Sequence, residues 1–263
     1  MKRTRLFTLL IAGIITISNF SNFTSAQNSN PATLYPQAMG NLRFKTNYIV
    51  FPTIYNTEVK KDTVVFYNNW NKTMNLKLEN IPQYIKCDLK QKELKPGQTG
   101  NIIIEYDASK VNDFGFVMGR FNIITNDTID PNRIISIGAN IVEDFSKLTP
   151  EQKANAPKIV FKNTKHNFGT IKEGEIVKYN YEFTNEGKSE LIIRKTKASC
   201  GCTAISPNKT NLKPGESSQV GIEFNSKGRT GKQIKNVTVI TNDPENPTII
   251  LTFEVQVEPK QNN

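Results

Sequence analysis

Histidine and tryptophan occur once each in this chain of 263 residues, cysteine three times and methionine four times. These scarcities exclude much chemistry. The one imidazole, His166, has no nucleophile motif or carboxylate pair beside it, so general-base catalysis has little to stand on. It reads instead as a strand residue near Phe168. A four-coordinate metal site needs more thiolates and imidazoles than Cys200, Cys202 and His166 supply. Neither a Gly-rich phosphate loop nor a zinc-protease spacing occurs. Lys and Arg outnumber Asp and Glu by 34 to 24, but the excess is spread along the chain and not interleaved with stacking aromatics in one strip. That speaks against a nucleic-acid partner and for a solvated, Lys-rich surface. No catalytic residue, cofactor or bound metal is expected.

What is present begins with Lys2, Arg3 and Arg5, an apolar run from Leu6 to Ile17, and the small residues Thr24-Ser25-Ala26. Residues 1–26 therefore read as a secretory signal peptide, with Asn19 and Asn22 cutting the run short of the roughly 20 residues a spanning helix needs. Cleavage would leave Gln27 first and no transmembrane segment in the mature chain. The expected location is the periplasm, the outer membrane or the cell surface. Residues 27–40 lack periodicity and read as a flexible arm.

The rest is built on a repeat. Phe51-Pro52-Thr53-Ile54, Leu94-Lys95-Pro96-Gly97 and Thr125-Asn126-Asp127 return in the same order as Phe168-Gly169-Thr170-Ile171, Leu212-Lys213-Pro214-Gly215 and Thr241-Asn242-Asp243, at offsets of 117, 118 and 116 residues. One module is used twice. Within it, apolar residues alternate with polar ones: Met74, Leu76 and Leu78; Ile135, Ile137, Ala139 and Ile141; Val177, Tyr179, Tyr181 and Phe183; Val220, Ile222 and Phe224; Ile249 to Val257. Period two is the mark of half-buried strands. Ile102–Tyr106 is nearly continuous in apolar residues and is expected to be covered on both faces. With no convincing helix inside either copy, each should fold as two packed antiparallel sheets. The expected organisation is all-β: two tandem seven-stranded immunoglobulin-like β-sandwiches, residues 41–143 and 158–258, with a tail at 259–263. Residues 144–157 form a linker, where Thr149 as N-cap, Pro150 at the first position and Gln152 predict a short capped helix.

The second copy carries Phe168-Gly169-Thr170-Ile171, Asn185-Glu186-Gly187, Ser199-Cys200-Gly201-Cys202-Thr203, Lys213-Pro214-Gly215-Glu216 and Thr241-Asn242-Asp243-Pro244. In these it resembles a large family of exported bacterial proteins of unknown function, itself similar to Hydin-type and major-sperm-protein-like immunoglobulin sandwiches. The first copy matches more weakly, with Cys87 alone in place of the Cys-Gly-Cys element. The resemblance implies a sandwich that binds or scaffolds proteins of the cell envelope, an outer-membrane complex among them, and brings no catalytic residues. Two rival functions are carried forward: a thiol-redox protein using Cys200 and Cys202, and a periplasmic chaperone of the strand-donating type.

If Cys200-Gly201-Cys202 is extended, the two Cα atoms stand about 6.5 Å apart, near the limit for bridging. A turn at Gly201 would allow a small-ring disulfide in an oxidising compartment, and a strained one would be redox-active. Simple packing of both thiols is the bland alternative. Cys87, between Ile85 and Leu89, reads as a buried core thiol. Candidate partner-binding residues come from divergence between the copies. Phe114-Gly115-Phe116-Val117 stands where the second copy has Thr230-Gly231-Lys232-Gln233, and Trp70 stands where it has Gly187. Trp70, Phe114, Phe116 and Val117 are thus candidates for exposed contacts; the alternative is that Trp70 and Phe114 fold back onto the linker or the other domain. Finally, Asp62-Thr63-Val64 and Asp127-Thr128-Ile129 resemble a three-residue O-glycosylation motif, with Thr63 and Thr128 as acceptors in or beside turns.

Overall fold

The computed structural model describes residues 30–199 and 202–260. The segment assigned to a signal peptide, Cys200 and the last three residues lie outside them. The first half holds β1 (Gln37–Met39), β2 (Leu42–Phe44), β3 (Tyr48–Tyr55), β4 (Val59–Asn68), β5 (Met74–Glu79), β6 (Ile85–Leu89), β7 (Glu93–Leu94), β8 (Thr99–Asp107), β9 (Gly115–Thr125) and β10 (Asn132–Val142). Its two sheets run β1-β2-β4-β8-β6 and β3-β10-β9-β5-β7. The second half holds β11 (Ile159–Phe161), β12 (Lys165–Lys172), β13 (Ile176–Asn185), β14 (Leu191–Ala198), β15 (Cys202–Ile205), β16 (Asn211–Leu212), β17 (Ser217–Asn225), β18 (Gly231–Thr241) and β19 (Thr248–Glu258). There the orders are β11-β13-β17-β15 and β12-β19-β18-β14-β16. The chain is an all-β, immunoglobulin-like arrangement. Beyond the longer strands, short pieces of two or three residues such as β1, β7 and β16 extend the sheet edges.

Alternation places one face of each strand in a core. Val64, Phe66, Ile102, Ile104, Tyr106, Phe121, Ile123, Ile135 and Ile137 are buried together in the first sandwich. Tyr181, Phe183, Val220, Ile222, Phe224, Leu251 and Phe253 are buried in the second. Each such side chain contributes roughly 1.5–3 kcal/mol by leaving water. The run Ile102–Tyr106 follows the same rule instead of being covered twice: Ile102, Ile104 and Tyr106 are buried while Ile103 and Glu105 are half-exposed.

Two expectations are corrected here. The sheets are not purely antiparallel, because β3 pairs parallel with β10 and β12 parallel with β19. In the two halves β2 pairs antiparallel with β4 and β11 with β13, after which the chain crosses to the other sheet and runs parallel with the last strand, β10 or β19. Both parallel pairs carry a register shift, between Phe51 and Ile54 and between Asn167 and Thr170. The repeated Phe-Pro/Gly-Thr-Ile landmark is thus an edge-strand bulge, where Pro52 has no ladder N–H to lose and Gly169 accepts a left-handed backbone at φ +68°. Nor is the described part of the 27–40 segment a free arm. Pro31–Leu34 forms one helical turn (α1) capped by Asn30, and β1 pairs with β2.

What fixes that segment is a buried ion pair. Arg133, fully buried, donates through Nε to Met39 O (2.5 Å) and through Nη1 to Thr125 Oγ1 (2.7 Å), and Nη2 pairs with Asp127. Asp127 in turn accepts from the Asn41 N–H (2.7 Å) and the Asn41 amide (2.8 Å). Burial pushes the Asp127 carboxyl up, but the N–H donors of Asn41 and Ile129 and the Arg133 charge outweigh it and hold the group below the usual carboxylate range. A depressed folded value means that this stabilisation is fully present above the unfolded pKa, near 4, and is lost as pH falls through the folded value. Arg133→Ala strands a buried carboxylate. It should cost the first sandwich about 3–5 kcal/mol in urea unfolding at pH 7, with the gap to the parent narrowing below about pH 4. A loss under about 1 kcal/mol would show that the pair does not hold the segment.

Candidate functional site

The two sandwiches meet through a linker pinned at both ends. Asp144 N donates to Asn56 Oδ1 at 3.0 Å on the first sandwich, and Lys188 N donates to Ala156 O at 3.2 Å on the second. Between them α2 (Pro150–Ala154) starts on Thr149, with the Thr149–Gln152 capping box formed. Direct contacts add to this. The Arg194 guanidinium donates to both oxygens of Glu143 at 3.0 and 2.8 Å, and Lys195 Nζ reaches Asp113 at 2.7 Å. Arg194 also lies 5.3 Å from the Phe114 ring centroid. A cleft of about 710 Å³ opens between the sandwiches, with Phe114, Phe116, Phe145, Asn140, Lys197 and Ile240 among the residues lining it.

The lip of this cleft continues onto the outer face of the β3-β10-β9 sheet. Tyr48, Val50, Phe116 and Met118 are 41, 42, 37 and 42% exposed. Register brings them together: Tyr48 opposite Ser136, Val50 opposite Gly138, Met118 opposite Gly138 and Phe116 opposite Asn140. A Cβ on Gly138 would meet the Phe116 ring at 2.7 Å and Tyr48 Oη at 3.3 Å. The glycine is therefore what lets an aromatic ring lie flat across the strand.

The second sandwich treats the same face differently. By strand register, Phe116 and Gly138 correspond to Lys232 and Glu254, which form an ion pair at 2.9 Å, and Tyr48 and Val50 correspond to Lys165 and Asn167. Asn167 donates to Glu254 at 3.0 Å. Only Met118 keeps an apolar counterpart, Ile234. A charged, solvated surface in one copy is an apolar surface in the other.

Of the sequence candidates, Phe116 lies in this patch, Phe114 is half-buried between the sandwiches, and Val117 packs against the first core. Trp70 is not brought to them. It sits in the β4–β5 connection, half-buried on the first core with Lys72 Nζ 5.3 Å from its ring centroid. The eleven-residue β9 separates that end from Phe114. The contrast with Gly187 has a steric cause, since a Cβ there would meet Lys158 N at 2.3 Å where the linker crosses. Sequence reasoning missed Tyr48, Val50, Met118 and Gly138, which a strand-by-strand alignment of the copies would have revealed.

Cys200 lies outside the described residues, and Cys202 opens β15 with its backbone opposite Phe224. Cys87 is half-buried, not fully buried, and burial pushes its thiol up to about 12. His166 stacks on Tyr179 at 3.6 Å, with Phe168 edge-on at 4.5 Å, and burial lowers its pKa. Among the described residues no group of His, Cys, Asp and Glu is placed to hold a metal ion. Thr63 is exposed but lies within β4 opposite Ile103, not in or beside a turn. Thr128 is exposed in the β9–β10 turn, and its neighbour Asp127 is committed to Arg133.

Residues 159–257 match the model of a family described as Protein of unknown function (DUF1573). The match spans the second sandwich. No curated protein matches the chain. A crystal structure of a protein of unknown function from Porphyromonas gingivalis W83 superposes with a TM-score of 0.58 at 18% identity, covering 82% of this chain and 100% of the other. That likeness is one of fold. The PapD-like domain 7 of human CEP192 gives 0.33 at 15% identity over 43% of this chain and 94% of that one. The YadV chaperone gives 0.30 at 10% over 82% and 99%.

The Arg194–Glu143 contact is bidentate and only partly exposed, at 28% and 20% for the two side chains. A double-mutant cycle with Arg194→Ala and Glu143→Ala, read by urea unfolding of the full chain, should give a coupling of about 0.5–1 kcal/mol. Zero coupling would mean that the contact does not help hold the sandwiches together.

Proposed function

We propose that this chain is an exported, non-enzymatic protein-binding or scaffolding subunit of a bacterial envelope assembly, and that it contacts its partner through the outer face formed by Tyr48, Val50, Phe116 and Met118. One observation carries the reading. The first sandwich keeps the landmarks that build the fold, yet exchanges the Lys232–Glu254 pair of its twin for an aromatic ring laid over Gly138. These exposed apolar side chains gathered on one sheet face stand outside the buried core, and such patches are where proteins associate. Large aromatics at the centre of a contact typically carry most of its binding energy. Export is supported by the basic and apolar character of residues 1–26, and no helix among the described residues is long and apolar enough to cross a membrane.

The test is site-specific photocrosslinking in the bacterium that makes the protein. A benzophenone side chain at Tyr48 or Val50 should give a discrete adduct with another envelope protein, whereas Lys165 and Asn167, the matching positions of the second sandwich, should not. Adding Phe116→Lys should reduce the adduct at least tenfold, the loss of one contact anchor of about 1.4 kcal/mol or more. Equal adducts from both sandwiches, or none from either, would overturn the proposal.

A further inference from the structure

The cleft between the sandwiches adjoins the outer face at Phe116, but its chemistry points to a ligand of a different kind. Its walls are mostly apolar, with Phe114, Phe145 and Ile240 facing the space, and its volume of about 710 Å³ is that of a small-molecule site. Charges in the walls are largely matched: Glu143 is held by Arg194, and Lys195 by Asp113. Lys197 is different. Among the described residues it makes no ion pair, and its ammonium group sits 6.0 Å from the Phe116 ring centroid at the cleft mouth. Asn140 and Thr238 also line the cleft, and their side chains make no hydrogen bond among the described residues.

We infer that the cleft binds a small amphiphile with an apolar body and a single carboxylate, the acid group on Lys197 and the body against the aromatic walls. An unpaired cation beside apolar surface favours one compensating anion, because a second would be left desolvated without a partner. The Asn140 amide and the Thr238 hydroxyl offer the remaining polar contacts. This goes beyond the protein-contact reading and does not rest on it.

Dansylaminoundecanoic acid, whose fluorescence rises in apolar surroundings, and its methyl ester are suitable probes for titration of the full chain. The acid should bind saturably at one site and the ester at least tenfold more weakly. Lys197→Gln, an exposed substitution, should remove that tenfold preference and leave ester binding unchanged. Thr238→Phe, which fills the space, should abolish binding of both. Met118→Ser, on the outer face, should change neither. Absence of saturable binding, equal affinity for acid and ester, or insensitivity to Lys197→Gln would overturn the inference. So would loss of binding in Met118→Ser alone, which would place the probe on the outer face.

Discussion

Each sandwich depends on one polar side chain buried where two sheets meet. Asn68 is fully buried, donates from its amide to Lys72 O and Leu94 O at 2.9 Å each, and accepts from the Trp70 N–H at 2.9 Å. Asn185 makes the same set with Ser189 O, Leu212 O and the Gly187 N–H. Their main chains are bound too: Gly97 and Gly215 donate to the carbonyls of Asn68 and Asn185, whose N–H groups donate to Gln98 O and Glu216 O. A chain leaving one sheet for the other necessarily abandons ladder hydrogen bonds inside the protein, and every abandoned group costs about 1–3 kcal/mol unless it finds a partner. The asparagine supplies those partners, and the Lys-Pro-Gly turn is held against it.

A second corner is satisfied in the same spirit. Asn126 and Asn242 each accept an N–H from the neighbouring strand, of Asn75 and Ile192, and donate to Thr73 O and Glu190 O. The Thr125 and Thr241 hydroxyls accept from the N–H groups of Asp127 and Asp243. With the corners fixed by short-range bonding, the exposed sheet faces are left free to differ. That freedom is where the two copies part company, and it is the physical basis for placing function on the outer face of the first.

The strand cores were legible because a half-buried strand writes its burial into the sequence with period two, as Val177 to Phe183 show. The landmarks were visible as repeats, but their meaning as a bulge, a clamp and a corner was not, because each works through backbone groups that carry no residue-specific signal. Residues 37–40 were misread for a related reason: what holds them is Asp127 and Arg133, about ninety residues away. At the candidate site, Phe116 was found through a change of character between copies. Gly138 was overlooked because a mid-strand glycine looks like a weakness until the ring lying over it is seen. Trp70 drew notice for the opposite reason, since the unusual residue at that position is Gly187, compelled by the linker.

If the apolar outer face is an addition to the fold and not part of its support, restoring the twin's polar pair should be harmless to folding. Gly138→Glu alone would drive a side chain into the Phe116 ring, but with Phe116→Lys it recreates the Lys232–Glu254 arrangement. Urea unfolding of the Phe116→Lys, Gly138→Glu double variant is the most direct measurement. The expected result is a stability within about 0.5 kcal/mol of the parent, as for other surface exchanges; a loss of more than about 2 kcal/mol would show that the aromatic face supports the sandwich itself and would contradict its assignment to binding.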